Sequence, residues 1–141
     1  MEKRIIQLGL ILVSLTLMVQ PYGIPIYRIN PAGGRPLVTY VSYFSSTPPT
    51  ENLNFSPLFI GILSVVILVR IIISLIVNYR KGNEVDNPGR VNIICLILCV
   101  LATLASWGFF SAVSIIGGIV LALHIGALVC ELLTRRGYLY K

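Results

Sequence analysis

The chain has 141 residues, 56% of them hydrophobic and 11% charged, with a mean hydropathy of +0.89 and a formal net charge of +6. Soluble domains carry about 25% charged residues, so this balance excludes an ordinary water-soluble fold. No basic face or aromatic–basic module accompanies the positive charge, which excludes a nucleic-acid-binding protein.

Four apolar stretches fill most of the chain: Ile5–Val19, Leu58–Val77, Val91–Trp107 and Ala112–Leu133. Each is close to the roughly 20 residues that a helix needs to cross about 30 Å of hydrocarbon. A soluble bundle would show polar faces at helical period, and these stretches show almost none. The first follows Met1–Arg4, a short basic run of the kind that opens a signal peptide. The following Leu17-Met18-Val19-Gln20-Pro21-Tyr22 offers no small-residue cleavage pattern, so the stretch reads as an uncleaved anchor and a first span.

The longest piece between stretches, Gln20–Pro57, is rich in Tyr, Ile, Val and Phe and is not a disordered tether. Ile24–Asn30 and Leu37–Phe44 have strand composition, and Pro31-Ala32-Gly33-Gly34-Arg35-Pro36 between them is a turn with two glycines free to take positive φ. A β-hairpin resting on helix ends or headgroups, or on a partner, is expected, since a lone two-stranded ribbon is marginal in water. The second span begins at Pro57 or Leu58, where proline suits a first helical turn. Arg80–Arg90 is a polar turn, and the last two stretches form a helical hairpin around Ser106–Ser111, with Trp107, Phe109 and Phe110 at the interface.

The basic residues then set an orientation. Lys3 and Arg4 precede the first stretch; Arg80, Lys81 and Arg90 lie between the second and third; Arg135, Arg136 and Lys141 follow the fourth. Only Arg28 and Arg35 lie between the first and second. Basic residues in short loops stay cytoplasmic, so both termini are expected inside and Gln20–Pro57 outside. The expected fold is an all-α integral membrane protein of the cell membrane. It is one domain, a four-transmembrane-helix bundle with a small extracytoplasmic β-hairpin between the first two spans. The spans are placed at about 5–20, 58–78, 91–107 and 112–133, the outer segment at 21–57 and the cytoplasmic loop at 79–90.

Three sequences in the first half of the chain carry a resemblance. They are Pro21-Tyr22-Gly23-Ile24-Pro25, Tyr40-Val41-Ser42-Tyr43-Phe44-Ser45-Ser46-Thr47-Pro48 and Asn54-Phe55-Ser56-Pro57. Together they resemble the outward segment of small four-span bacterial membrane proteins of unknown function. The resemblance implies the same topology and brings no activity with it.

Arg70 is the sharpest chemical feature, placed inside the second stretch about 12 Å by helical rise from Asn78. A charge at that depth usually faces protein or water. Glu131, in the last turns of the fourth stretch, is its expected partner. His124 lies on nearly the same face as Glu131, so Arg70, His124 and Glu131 form a candidate intramembrane polar cluster. Cys95, Cys99 and Cys130 all fall in apolar stretches and read as small packing residues; their spacing lacks the short loops of a zinc site, and no metal or other cofactor is expected. Gly118, Ala122, Gly126 and Cys130 form a small-residue stripe on the fourth stretch, as do Cys95, Cys99, Ala102 and Ser106 on the third, and both are expected at helix–helix contacts.

No catalytic triad, carboxylate pair, phosphate loop or H-E-x-x-H is present, so no enzyme is expected. The favoured function is a small structural or accessory multi-pass protein. Its outer segment would contact a membrane-protein partner or a second copy through Tyr27, Tyr40, Tyr43 and Phe44, and its cytoplasmic face would meet anionic lipids. The competing function is a minimal oligomeric transporter or channel built on Arg70, His124 and Glu131.

Overall fold

A computed structural model of the chain describes residues 2–28, 31–35, 37–45, 56–81, 90–110 and 113–139. The elements in order are α1 (Glu2–Val19), β1 (Ile24–Arg28), β2 (Leu37–Val41), α2 (Ser56–Lys81), α3 (Arg90–Phe110) and α4 (Ile115–Leu139). The four apolar stretches are thus helices, with a two-stranded sheet between the first and second. Three helical segments, Ser56–Arg80, Arg90–Gly108 and Ile115–Thr134, are long and apolar enough to cross a membrane. The 18-residue α1 opens with Glu2, Lys3 and Arg4, which shortens its uncharged run.

The helices form a ring in which α1 packs on α2 and α4, and α3 packs on α2 and α4. Neighbours run in opposite directions, as in an up-down bundle. On one diagonal stand α2 and α4. The core is built from Ile11, Met18, Ile60, Ile67, Ile71, Leu96, Val120 and Ala127. Gln7, Ser14, Ser64, Asn92, Thr103, Ser106, His124 and Glu131 are buried with them. The outward positions are apolar instead: Ile62, Val66 and Ile73 on α2, Ile94 and Leu101 on α3, Ile125 and Val129 on α4 are all exposed. A soluble bundle has the opposite arrangement.

The strands pair antiparallel with Ile24 opposite Val41 and Arg28 opposite Leu37. The second strand is shorter than the sequence implies, ending at Val41 rather than Phe44, while the last two residues expected in the first, Ile29 and Asn30, lie outside the described residues. Gly33 and Gly34 take φ of 76° and 100°, a region closed to most side chains, so the turn needs them. At the other loop both helix boundaries fall later than the apolar stretches imply. The third continues past Trp107 to Phe110, and the fourth starts at Ile115 rather than Ala112. Positions 82–89, most of the expected cytoplasmic turn, lie outside the described residues.

Candidate functional site

Polar side chains make three separate links between helices. At the end that holds the start of α1 and the close of α4, Arg4 and Gln7 project from one face of α1, three residues apart. Arg4 Nη1 donates to Gln7 Oε1 at 2.9 Å and pairs with Glu131 Oε2. Gln7 Nε2 donates to the same carboxylate oxygen at 2.8 Å. All three side chains are buried, while Glu131 Oε1 has no hydrogen-bond partner. Lys3 Nζ reaches Leu133 O at 3.4 Å on the outside of the link.

The expected pairing of Arg70 with Glu131 is therefore corrected: the partner of Glu131 is Arg4. The reason is topological. The first helix is the ring neighbour of α4 and runs against it, bringing its first turn to the last turns of α4. Arg70 sits on α2, diagonally opposite α4, and turns instead to α3. Its Nε donates to Asn92 Oδ1 at 2.7 Å, across the end of the α2–α3 pair.

His124 belongs to neither of these links. Its Nδ1 lies 2.8 Å from Val120 O in its own helix, and its Nε2 lies 2.9 Å from Ser64 Oγ on α2. This contact crosses the bundle along its diagonal. Ser64 Oγ also lies 2.8 Å from Ile60 O, which Cys99 Sγ approaches from α3 at 4.0 Å. Three helices thus meet at one point with Ser64, Cys99 and His124 all fully buried. Serine and histidine stand here at nucleophile–base distance, but neither is exposed to a substrate. The candidate cluster of Arg70, His124 and Glu131 resolves into three sites, each with its own partner.

The opposite end of the bundle is closed by the outer segment. Tyr43 N donates to Met18 O at 3.0 Å, drawing the chain after β2 onto the end of α1. The Tyr43 ring, 4% exposed, covers Gly23, where an added Cβ would stand 3.0 Å from Cδ2. Its hydroxyl lies 3.4 Å from the Cβ position of Gly117. Burial pushes the Tyr43 phenol up to about 12. Ser114 ties the same region to α4: its Oγ accepts from Gly117 N at 2.9 Å as a helix cap and donates to Gly23 O at 2.5 Å. Phe44 lies against Gly61 on α2, within 2.8 Å of that glycine's Cβ position.

The expected aromatic surface is accordingly split. Tyr43 is a buried plug and not a contact residue, because the turn after Val41 folds it inward. Tyr40 is 51% exposed and Phe44 37% exposed. Tyr27 pairs with Val38 in the ladder, and its side chain lies outside the described residues. Of the small-residue stripes, Cys95 and Cys99 are buried and Ala102 packs on the core. Gly126 meets Leu10 of α1 at 3.4 Å from its Cβ position. Gly118 has nothing within 4 Å and Ala122 is exposed, so that half of the α4 stripe makes no close contact. The inward line of α4 is instead Gly117, Val120, His124, Ala127 and Glu131.

Among the described residues, no group of three His, Cys, Asp or Glu side chains could hold a metal ion. Sequence reasoning missed Arg4, Gln7, Ser64 and Asn92. A signal for the first pair was present: Arg4, Gln7, Ile11, Ser14 and Met18 follow helical spacing, and polar residues on an apolar helix mark its protein-facing side. Asn92 likewise extends the Cys95–Cys99 line by one turn. No protein-family model, curated protein or solved structure matches the chain.

Proposed function

We propose that this chain is a small accessory protein of the cell membrane, with four spans and both termini cytoplasmic, that presents its hairpin to a membrane-protein partner or a second copy. The outward-facing aliphatic residues support insertion, since lipid is the solvent that favours such a surface. The one-sided Lys and Arg residues support the orientation, and the same residues attract anionic headgroups. On this reading α1 spans with a snorkelling Lys3 at its start.

The observation that carries the proposal is the contrast within the outer segment. Tyr43, Gly23 and Ser114 clamp it to α1 and α4 and Phe44 packs it on α2, while Leu37, Val38 and Tyr40 of β2 stay 52%, 46% and 51% exposed. A rigidly held, exposed apolar strand suits recognition better than a passive loop. The polar residues of the bundle favour this reading over a transport pathway, because Arg70, His124 and Glu131 are each engaged in a separate helix-to-helix link. The reading involves no catalytic step and no cofactor.

A photo-crosslinking residue at Tyr40 in native membranes tests it. A discrete protein adduct that is absent for the same label at Ile125 supports recognition; lipid adducts alone at both positions overturn it. Orientation is checked with an impermeant maleimide in a background lacking Cys95, Cys99 and Cys130. Thr39→Cys should label from outside and Arg80→Cys only after permeabilisation.

A further inference from the structure

The hydrogen-bond chain through His124 has one proton too few when the ring is neutral. Nδ1 lies 2.8 Å from Val120 O, and a carbonyl only accepts, so Nδ1 carries a hydrogen. In a neutral ring Nε2 is then a bare acceptor. It stands 2.9 Å from Ser64 Oγ, which stands 2.8 Å from a second acceptor, Ile60 O. Ser64 has one hydroxyl hydrogen to offer to the two. An imidazolium removes the conflict: Nε2–H donates to Ser64 Oγ, and the hydroxyl donates to Ile60 O. All three short contacts are then hydrogen bonds.

We infer that His124 is a proton-binding site at the centre of the bundle, and that its occupancy decides whether the Ser64 hydroxyl serves α4 or its own helix. A solvent proton adds to the Nε2 lone pair, and the Ser64–His124 hydrogen bond reverses direction. No covalent bond in the protein breaks. The groups around the ring are dipolar. From α3 come the Cys99 thiol, 4.0 Å from the shared Ile60 O, and Cys95 one turn away. From α1, Ser14 comes level with the His124 turn by the register that sets Leu10 against Gly126, and its buried Oγ has no partner. The charged groups set inside the bundle are engaged elsewhere, Glu131 with Arg4 and Gln7 and Arg70 with Asn92. The link between diagonal helices thereby depends on proton occupancy, with α2 and α4 joined most fully when the ring is charged. This goes beyond the accessory role and does not depend on it.

The chain contains a single histidine, so ¹⁵N-histidine labelling reports this site alone. The full-length protein in liposomes should be followed by solid-state ¹⁵N NMR from about pH 4 to pH 9, the range in which imidazole charge changes are sought. The expected neutral form has hydrogen on Nδ1 and none on Nε2, and acidification protonates Nε2. A neutral ring with its hydrogen on Nε2, or a ring that gains no second proton across the range, overturns the inference. Ser64→Ala should bind the proton about threefold or more weakly, because it removes the acceptor of Nε2–H, whereas Ser64→Thr should retain wild-type binding. Equal proton binding in wild type and folded Ser64→Ala would also overturn it.

Discussion

The two ends of the bundle are closed by opposite chemistry. Where α1 begins and α4 ends, a buried guanidinium, amide and carboxylate join the two helices. At the hairpin end, an aromatic plug, a serine cap and backbone hydrogen bonds do the work. The first closure is electrostatic and depends on every member being present, because a buried charge without its partner is costly. The second rests on packing and neutral hydrogen bonds, so its losses should be smaller and local. The difference matters for the proposed role, since closures of separate chemistry would let the hairpin loosen without opening the helices.

The largest expected effect tests the electrostatic end. Arg4→Ala should cost about 3–5 kcal/mol by leaving the Glu131 carboxylate buried with Gln7 alone. Glu131→Ala should be similarly costly, and the double variant should cost clearly less than the sum. Arg70→Ala and Glu131→Ala should instead add within about 0.5 kcal/mol, since they share no partner. Unfolding in mixed micelles measures all of these, and coupling between Arg70 and Glu131 would contradict the separation described here.

Tyr43→Ala should come next, with about 3 kcal/mol lost at the hairpin end. Amide exchange should accelerate through Ile24–Arg28 and Leu37–Val41 while the start of α1 keeps its protection. Exchange rising equally at both ends would mean that the closures are one cooperative unit. A related loss should appear on alkaline titration. The Tyr43 phenol is raised from 10.0 to about 12 by burial, so the fold favours its protonated form. That stabilisation is complete below about pH 10 and disappears as pH rises through about 12. Tyrosinate absorbance should show a high-pH component that Tyr43→Phe removes, with hairpin exchange rising in the same window.

Ser114→Ala is the mildest of the set. It removes a helix cap and the tie to Gly23, and about 1 kcal/mol is expected. The effect should be seen in exchange at the first turn of α4 and around Gly23, and not at Glu131. A global destabilisation would give this serine a larger part in holding the bundle than a cap and one tie explain.

Composition and hydropathy alone determined the helices and the strand pair. Long apolar runs can satisfy their backbone in lipid only as helices or closed barrels, and the Pro31–Pro36 turn between β-rich segments specifies a hairpin locally. Those are properties of short windows of chain. The partners of the polar residues are not, because they depend on which helices become neighbours. Arg70 looks long enough to reach Glu131 across their difference in depth, yet the ring order places them on diagonal helices and hands Glu131 to Arg4. Ser64 was indistinguishable from any other small residue of an apolar helix until the fold set it against His124. Tyr43 read as the exposed end of a strand, and the turn after Val41 made it a plug. Periodicity fixes which face of a helix a side chain occupies, while tertiary packing alone decides what that face meets.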